Sequence, residues 1–207
     1  MDTPKALLVV EDAPEVRQML DQILRLNGYE VTTAQNGIEA LAAIQKQRPE
    51  LIVTDILMPK MDGFSLIYRL RTDSKTRNIP VVFLTATYVS QEDKDFATTI
   101  GATGFLQKPV DTQDLLEMIV ELLNQPKAEV PAPPKEAEFF EKYQARLKAK
   151  LAERKSEIAR AQQVLGPLPA GERPSFEVII RQTQLDLQMV EAELQQVQEY
   201  LRRRTKQ

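Results

Sequence analysis

The stretch ALLVVEDAPEVR, residues 6–17, carries the reading of the first half of the chain. Leu7-Leu8-Val9-Val10 is a continuous apolar run, which suits a strand covered on both faces, as in a parallel sheet. Two acids, Glu11 and Asp12, follow at once, and an amphipathic pattern opens at residue 14. A buried strand, a charged turn and a helix make one βα unit.

The unit recurs. Short β-branched or leucine-rich runs at 6–10, 30–34, 51–54, 80–84 and 104–106 alternate with amphipathic stretches near 14–26, 37–47, 64–72, 90–100 and 112–123. Five such units predict an α/β domain with a five-stranded parallel sheet of flavodoxin-like type over residues 1–124. Punctuation agrees with this: Asn27-Gly28 and Gly101 end the first and fourth helices, and Asn36 and Asp111 cap the second and fifth.

The next segment, NQPKAEVPAPPKEA at 124–137, has four prolines and no helical period, so residues 125–137 read as a semi-extended linker. Beyond it lie two helical stretches, 138–165 and 175–204, joined by GPLPAGERP. In the second, Phe176, Ile180, Thr183, Leu187, Val190, Leu194, Val197 and Leu201 alternate steps of four and three, the seam of a coiled coil. In the first, Phe140, Tyr143, Leu147, Leu151, Ile158 and Leu165 form a looser stripe interrupted by Arg154. Residues 138–207 therefore predict an all-α antiparallel coiled-coil hairpin. Two helices bury little surface by themselves, so a homodimer through this hairpin is expected.

Composition narrows the function. A chain of 207 residues holds one domain and a smaller module, and its net charge of -3 gives no overall attraction to nucleic acid or anionic membrane. Without cysteine there is no disulfide or thiolate site, which fits a cytoplasmic protein. Without histidine there is no usual zinc ligand, no commonest general base and no phosphohistidine, so a relay through histidine needs another protein. The apolar runs fall far short of the roughly 20 residues that span a bilayer, so no membrane association is expected.

Ligands of a parallel α/β sheet bind at the carboxyl ends of its strands. Glu11 and Asp12 follow the first strand, Asp55 the third, Thr85 the fourth and Lys108-Pro109 the fifth. Three carboxylates brought together repel unless a cation joins them, and an oxygen-only set favours a hard ion such as Mg²⁺. One carboxylate can then act as nucleophile towards a phosphoryl group whose oxygens the metal, lysine and hydroxyl stabilise. Taken singly, each residue has a plainer reading. Asp12 could cap the first helix, Asp55 could serve a turn, Thr85 could end a strand, Lys108 could lie on the surface and Phe105 could be core. Met58, Pro59 and Gly63 shape the loop after Asp55.

The segments VVEDAPEVR (9–17), IVTDILMPKMDGF (52–64), PVVFLTA (80–86) and GFLQKPVD (104–111) resemble the receiver domain of two-component response regulators. The resemblance covers residues 5–124 and rests mainly on the joint set Glu11, Asp12, Asp55, Thr85 and Lys108. It implies that Asp55 is the phosphoacceptor and that Glu11 and Asp12, with Asp55 and the backbone carbonyl of Leu57, are the Mg²⁺ ligands. It further implies that Thr85 and Phe105 form the switch, that Lys108 pairs with the phosphoryl group, and that a sensor histidine kinase or phosphotransfer protein is the donor. The segment DTQDLLEMIVELL (111–123) lacks the arginine with which the DNA-binding branch pairs its dimer face.

The C-terminal half resembles no winged helix, helix-turn-helix or cyclase, and no separate enzymatic output is expected. The hairpin reads as a module for dimerisation or for an unknown output protein. A structural arm in a signalling assembly is the alternative. Nucleic-acid binding through Arg202-Arg203-Arg204-Thr205-Lys206 is less favoured, because a cationic helix end explains that run.

Overall fold

In the computed structural model, residues 4–86, 90–125, 133–167, 169, 171 and 173–204 are described. Residues 126–132 of the expected linker, and Thr205 and Lys206 of the basic end, lie outside the described residues. The chain divides into two compact units, Met1–Pro133 and Pro134–Gln207.

The first unit is the expected α/β fold. Strands β1 (Ala6–Val10), β2 (Glu30–Ala34), β3 (Leu51–Asp55), β4 (Val81–Thr85) and β5 (Gly104–Gln107) alternate with helices α1 (Pro14–Leu26), α2 (Gly37–Lys46), α3 (Gly63–Thr72), α4 (Gln91–Thr99) and α5 (Thr112–Asn124). All neighbouring strands pair parallel, in the order β2-β1-β3-β4-β5. After β2 the chain crosses to the other side of β1, so β1 and β3 are neighbours although β2 lies between them in sequence. Such a switch point leaves a crevice at the strand ends.

Leu7, Val9, Leu51, Val53, Val82 and Leu84 pack with Leu20, Leu24, Leu115 and Ile119 of α1 and α5. Leu8, Val10, Ile52 and Phe83 are equally buried, because helices cover both faces of the central strands. Asn36 accepts from the N–H groups of Ile38 and Glu39, and Asp111 from that of Gln113, as their positions predict. Gly28 and Gly101 take positive φ, 86° and 96°, after α1 and α4. The cap of α1 differs from one reading of the sequence. Ala13 occupies the N-cap position and no side chain bonds there, so Asp12 does not cap the helix.

The second unit consists of α6 (Glu136–Leu165) and α7 (Arg173–Arg204), which pack along one another. Both begin two residues earlier than their sequence patterns suggest. Pro174 does not delay α7, since proline at the start of a helix surrenders an N–H that has no helical acceptor. The short connection, residues 166–172, makes the helices antiparallel. Lys155 Nζ and Glu191 Oε1, 3.1 Å apart, bridge them.

Along α7, Ile180, Val190 and Val197 are buried, and Phe176, Thr183, Leu187, Leu194 and Leu201 are half-buried, all within a single chain. On α6 the stripe contains adjacent phenylalanines. Phe139, absent from the expected stripe, is buried edge-on to Phe140 with centroids 4.9 Å apart, and stacks on Tyr143 at 5.6 Å. Charged and amide side chains fill the other faces of both helices and are mostly exposed. Lys150 and Glu193 depart from this, at 7% and 5% exposed. Val178, Leu185 and Met189 lie exposed on the face of α7 opposite the seam. Among the described residues, no helix is long and apolar enough to cross a membrane.

Candidate functional site

The carboxyl ends of β1, β3, β4 and β5 deliver the site. Glu11 leaves β1 with its N–H donated to the Ala34 carbonyl of β2 at 3.0 Å, which extends the sheet by one bond and fixes where the acid pair begins. Asp55 is the last residue of β3, one longer than the sequence pattern suggests, and its backbone pairs in register with Leu84 of β4. Thr85 ends β4, fully buried. Lys108 follows β5, with its N–H donated to the Thr85 carbonyl at 2.9 Å and a cis peptide bond to Pro109.

These ends converge. Lys108 Nζ lies 2.5 Å from Asp55 Oδ2 and 2.6 Å from Glu11 Oε2, so one ammonium joins the acids of β1 and β3. Asp55 Oδ1 accepts from the Ile56 N–H at 2.5 Å. Carboxylate oxygens of Glu11, Asp12 and Asp55 all lie within 4.8 Å of one another. Leu57 is buried two residues past Asp55.

The electrostatics follow from burial. Burial pushes the Asp55 carboxyl above its usual value against the opposing pull of Lys108 and the Ile56 N–H. Burial and then the charge of Asp55 push Glu11 up as well. Burial pulls the Lys108 ammonium down, but the Asp55 and Glu11 carboxylates outweigh it and hold Lys108 above an ordinary lysine. Three carboxylates face one ammonium, a formal excess of two negative charges among these four side chains. An oxygen-only donor set with that excess fits a hard divalent cation such as Mg²⁺.

Phe105, on β5, is half-buried, edge-on to Phe83 at 6.4 Å, with Lys94 Nζ 5.7 Å from its ring centre. Phe83 in turn meets Phe64 edge-on at 5.3 Å, and Phe64 meets Phe96 at 5.2 Å. Phe96 of α4, Phe64 of α3, Phe83 of β4 and Phe105 of β5 thus form one row of edge-on rings.

Three further residues belong to the site. Gly63 starts α3 against the backbone of Asp55: a Cβ there would lie 2.4 Å from the Asp55 carbonyl oxygen and 2.9 Å from the Phe83 ring. Its N–H bonds the Ile56 carbonyl at 2.8 Å, closing the loop on itself. Asp62 is buried and caps α3, accepting from the Ser65 N–H and hydroxyl, both at 2.7 Å, and burial raises its carboxyl. An aspartate three residues before a serine, ahead of an apolar run, is a readable capping signal. Arg17 donates from Nη1 to the carbonyls of Glu11 at 2.6 Å and Asp12 at 3.1 Å. Nothing in the sequence pattern marks that contact.

Residues 7–120 match the response regulator receiver domain. Response regulator Rre1 of Synechocystis sp. is 35% identical over 145 residues, an alignment covering 70% of this chain and 62% of that protein, so the chain spans less than two thirds of that relative's length. The structure of chemotaxis response regulator CheY4 of Vibrio cholerae is similar with a TM-score of 0.55 at 39% identity, covering 58% of this chain and 99% of that one. The receiver domain of sensor histidine kinase PA1611 from Pseudomonas aeruginosa PAO1, solved with a magnesium ion coordinated in its active site cleft, is similar with a TM-score of 0.55 at 28% identity, covering 59% of this chain and all of that domain.

Proposed function

This chain belongs to the response regulator receiver family, and on that premise we propose that Asp55 accepts a phosphoryl group from a histidine kinase or phosphotransfer protein and passes the signal to the C-terminal hairpin. The observation that carries this reading is the single ammonium of Lys108 at 2.5 and 2.6 Å from Asp55 and Glu11. An Asp55 oxygen attacks phosphorus, and the donor's imidazole leaves. The sequence holds no histidine, so the donor is another chain. Lys108 stands where it can follow the charge from carboxylate to phosphoryl oxygens.

Glu11, Asp12 and Asp55, with the Leu57 carbonyl, would hold Mg²⁺, which when bound neutralises charge on the transferring group. Its presence in the similar PA1611 receiver supports that assignment. Thr85 and Phe105 form the switch: added charge at Asp55 draws the Thr85 hydroxyl and Lys108 towards it, and Phe105 follows. The chain acts in the cytoplasm, where kinase and regulator meet.

The hairpin is the output, a module that dimerises or docks on a partner protein. The burial of the α7 seam within one chain favours a second reading, a structural arm of a larger assembly. Light scattering on the full chain, with and without beryllofluoride and Mg²⁺, separates the two: a change in mass supports dimerisation, while an unchanged mass with altered partner binding supports the arm. For the site itself, Asp55→Asn should abolish labelling by acetyl phosphate. Wild-type labelling in that variant would overturn the assignment.

A further inference from the structure

We infer that Arg17 is a positioning residue for the acid pair, holding the backbone of Glu11 and Asp12 so that their carboxylates stay gathered for a divalent cation; this rests on the metal site proposed above. The loop from β1 to α1 is tied at Glu11, by the N–H bond to Ala34 and the bond to Lys108, and less firmly beyond it. Its helix lacks a side-chain cap, since Ala13 stands at the N-cap position. Asp12 is only half-buried, and its neighbours in the cluster repel it. The Arg17 guanidinium, one turn into α1 and half-buried, reaches back and donates from one nitrogen to both carbonyls, at 2.6 and 3.1 Å. Those two carbonyls belong to the residues whose side chains carry the charge, so fixing the peptides fixes where the carboxylates leave the backbone.

Arg25 supplies an internal comparison. It too lies on α1, pairs with Asp21 at 2.8 Å and donates to a backbone carbonyl, that of Val31, far from the acids. Removing either arginine's donors costs stability. Only Arg17 should change metal affinity.

The test is Mg²⁺ binding to the full chain by titration calorimetry, alongside thermal unfolding without metal. Groups that orient metal ligands commonly contribute about tenfold or more to affinity, so Arg17→Met, which keeps an aliphatic stem and loses the donor, should bind Mg²⁺ about tenfold more weakly. Arg17→Lys should regain most of the loss, because one nitrogen serves both carbonyls and an ammonium can take its place. Arg25→Met should bind as wild type does while melting lower. Should Arg17→Met not fold, Arg17→Gln replaces it, with an amide too short to reach both carbonyls and the same expected weakening. Wild-type affinity in the donor-less variant, or equal weakness in Arg17→Lys, would overturn the inference. No Mg²⁺ binding by the wild type would instead sink the metal site, whatever Arg17 does.

Discussion

In the receiver unit, Glu11 and Asp55 come from two strand ends and each meets Lys108, from a third, within 2.6 Å, whereas in the hairpin Lys150 and Glu193 are buried on separate helices and Arg154 pairs within its own helix, with Glu157 at 2.6 Å. Both arrangements remove charge from water, which is expensive. They differ in direction. The first gathers like charges and raises the carboxyls it uses, a poor way to stabilise a protein and a good way to prepare it for a cation and a phosphoryl group. The second buries a lysine and a glutamate, opposite charges, on two packed helices, and among the described residues it holds no group of three acids placed to bind a cation. Burial alone therefore does not mark a functional group. A gathering of like charges does.

The contrast can be broken most severely at Lys108. Lys108→Ala leaves Asp55 facing Glu11 without the ammonium between them, and initial rates of uptake from acetyl phosphate should fall by about 10²-fold or more, the scale of losing one preorganised charge donor. A rate within a few-fold of wild type would mean that the convergence is incidental. The opposite test is made in the hairpin. Leu147→Ala, at a fully buried position, should destabilise that unit by about 2–5 kcal/mol, read by circular dichroism on heating, without altering uptake on Asp55. A matching fall in uptake would show that the units do not work separately.

A smaller effect measures the cost of gathering the acids. Glu11 binds its proton more tightly in the folded chain than in the unfolded one, because burial and Asp55 raise it. Its charge therefore costs stability at pH above the folded value, and the cost vanishes as pH falls below the ordinary value of 4.5. Glu11→Gln should melt a few degrees higher than wild type near neutral pH without metal, with the gain lost in acid. A lower midpoint at neutral pH would show that the bond to Lys108 outweighs burial. Lys108 contributes in the reverse sense: its stabilisation is complete below 10.5 and is lost as pH rises through its higher folded value.

Much of the receiver unit was legible because its signals are local. Continuous apolar runs mark strands covered on both faces, and a parallel topology obliges whatever follows each strand to arrive at the same edge. Glu11, Asp12, Asp55, Thr85 and Lys108 could thus be grouped before any distance was known. What escaped is contact across sequence. Arg71 is buried and donates to the carbonyls of Ile79 at 2.9 Å and of Gly101 at 2.7 and 3.0 Å, with burial lowering its guanidinium to about 10, yet its own segment reads as an ordinary helix end. Gly63 looked like a turn residue, but its lack of a side chain answers to the Asp55 backbone eight positions earlier. In the hairpin, period alone found the α7 seam and missed Phe139, Lys150 and Glu193, because a helical pattern gives the direction of a side chain and not what covers it.

The connection at residues 166–172 has a kinetic side. It keeps α6 beside α7 at an effective concentration on the order of millimolar, so a free helix from a second chain must approach that level to displace it. Closure is first order and indifferent to dilution. A partner proposed for the hairpin would therefore meet it already closed, on its outer surfaces, unless that partner first worked against a tether that never lets the two helices drift apart.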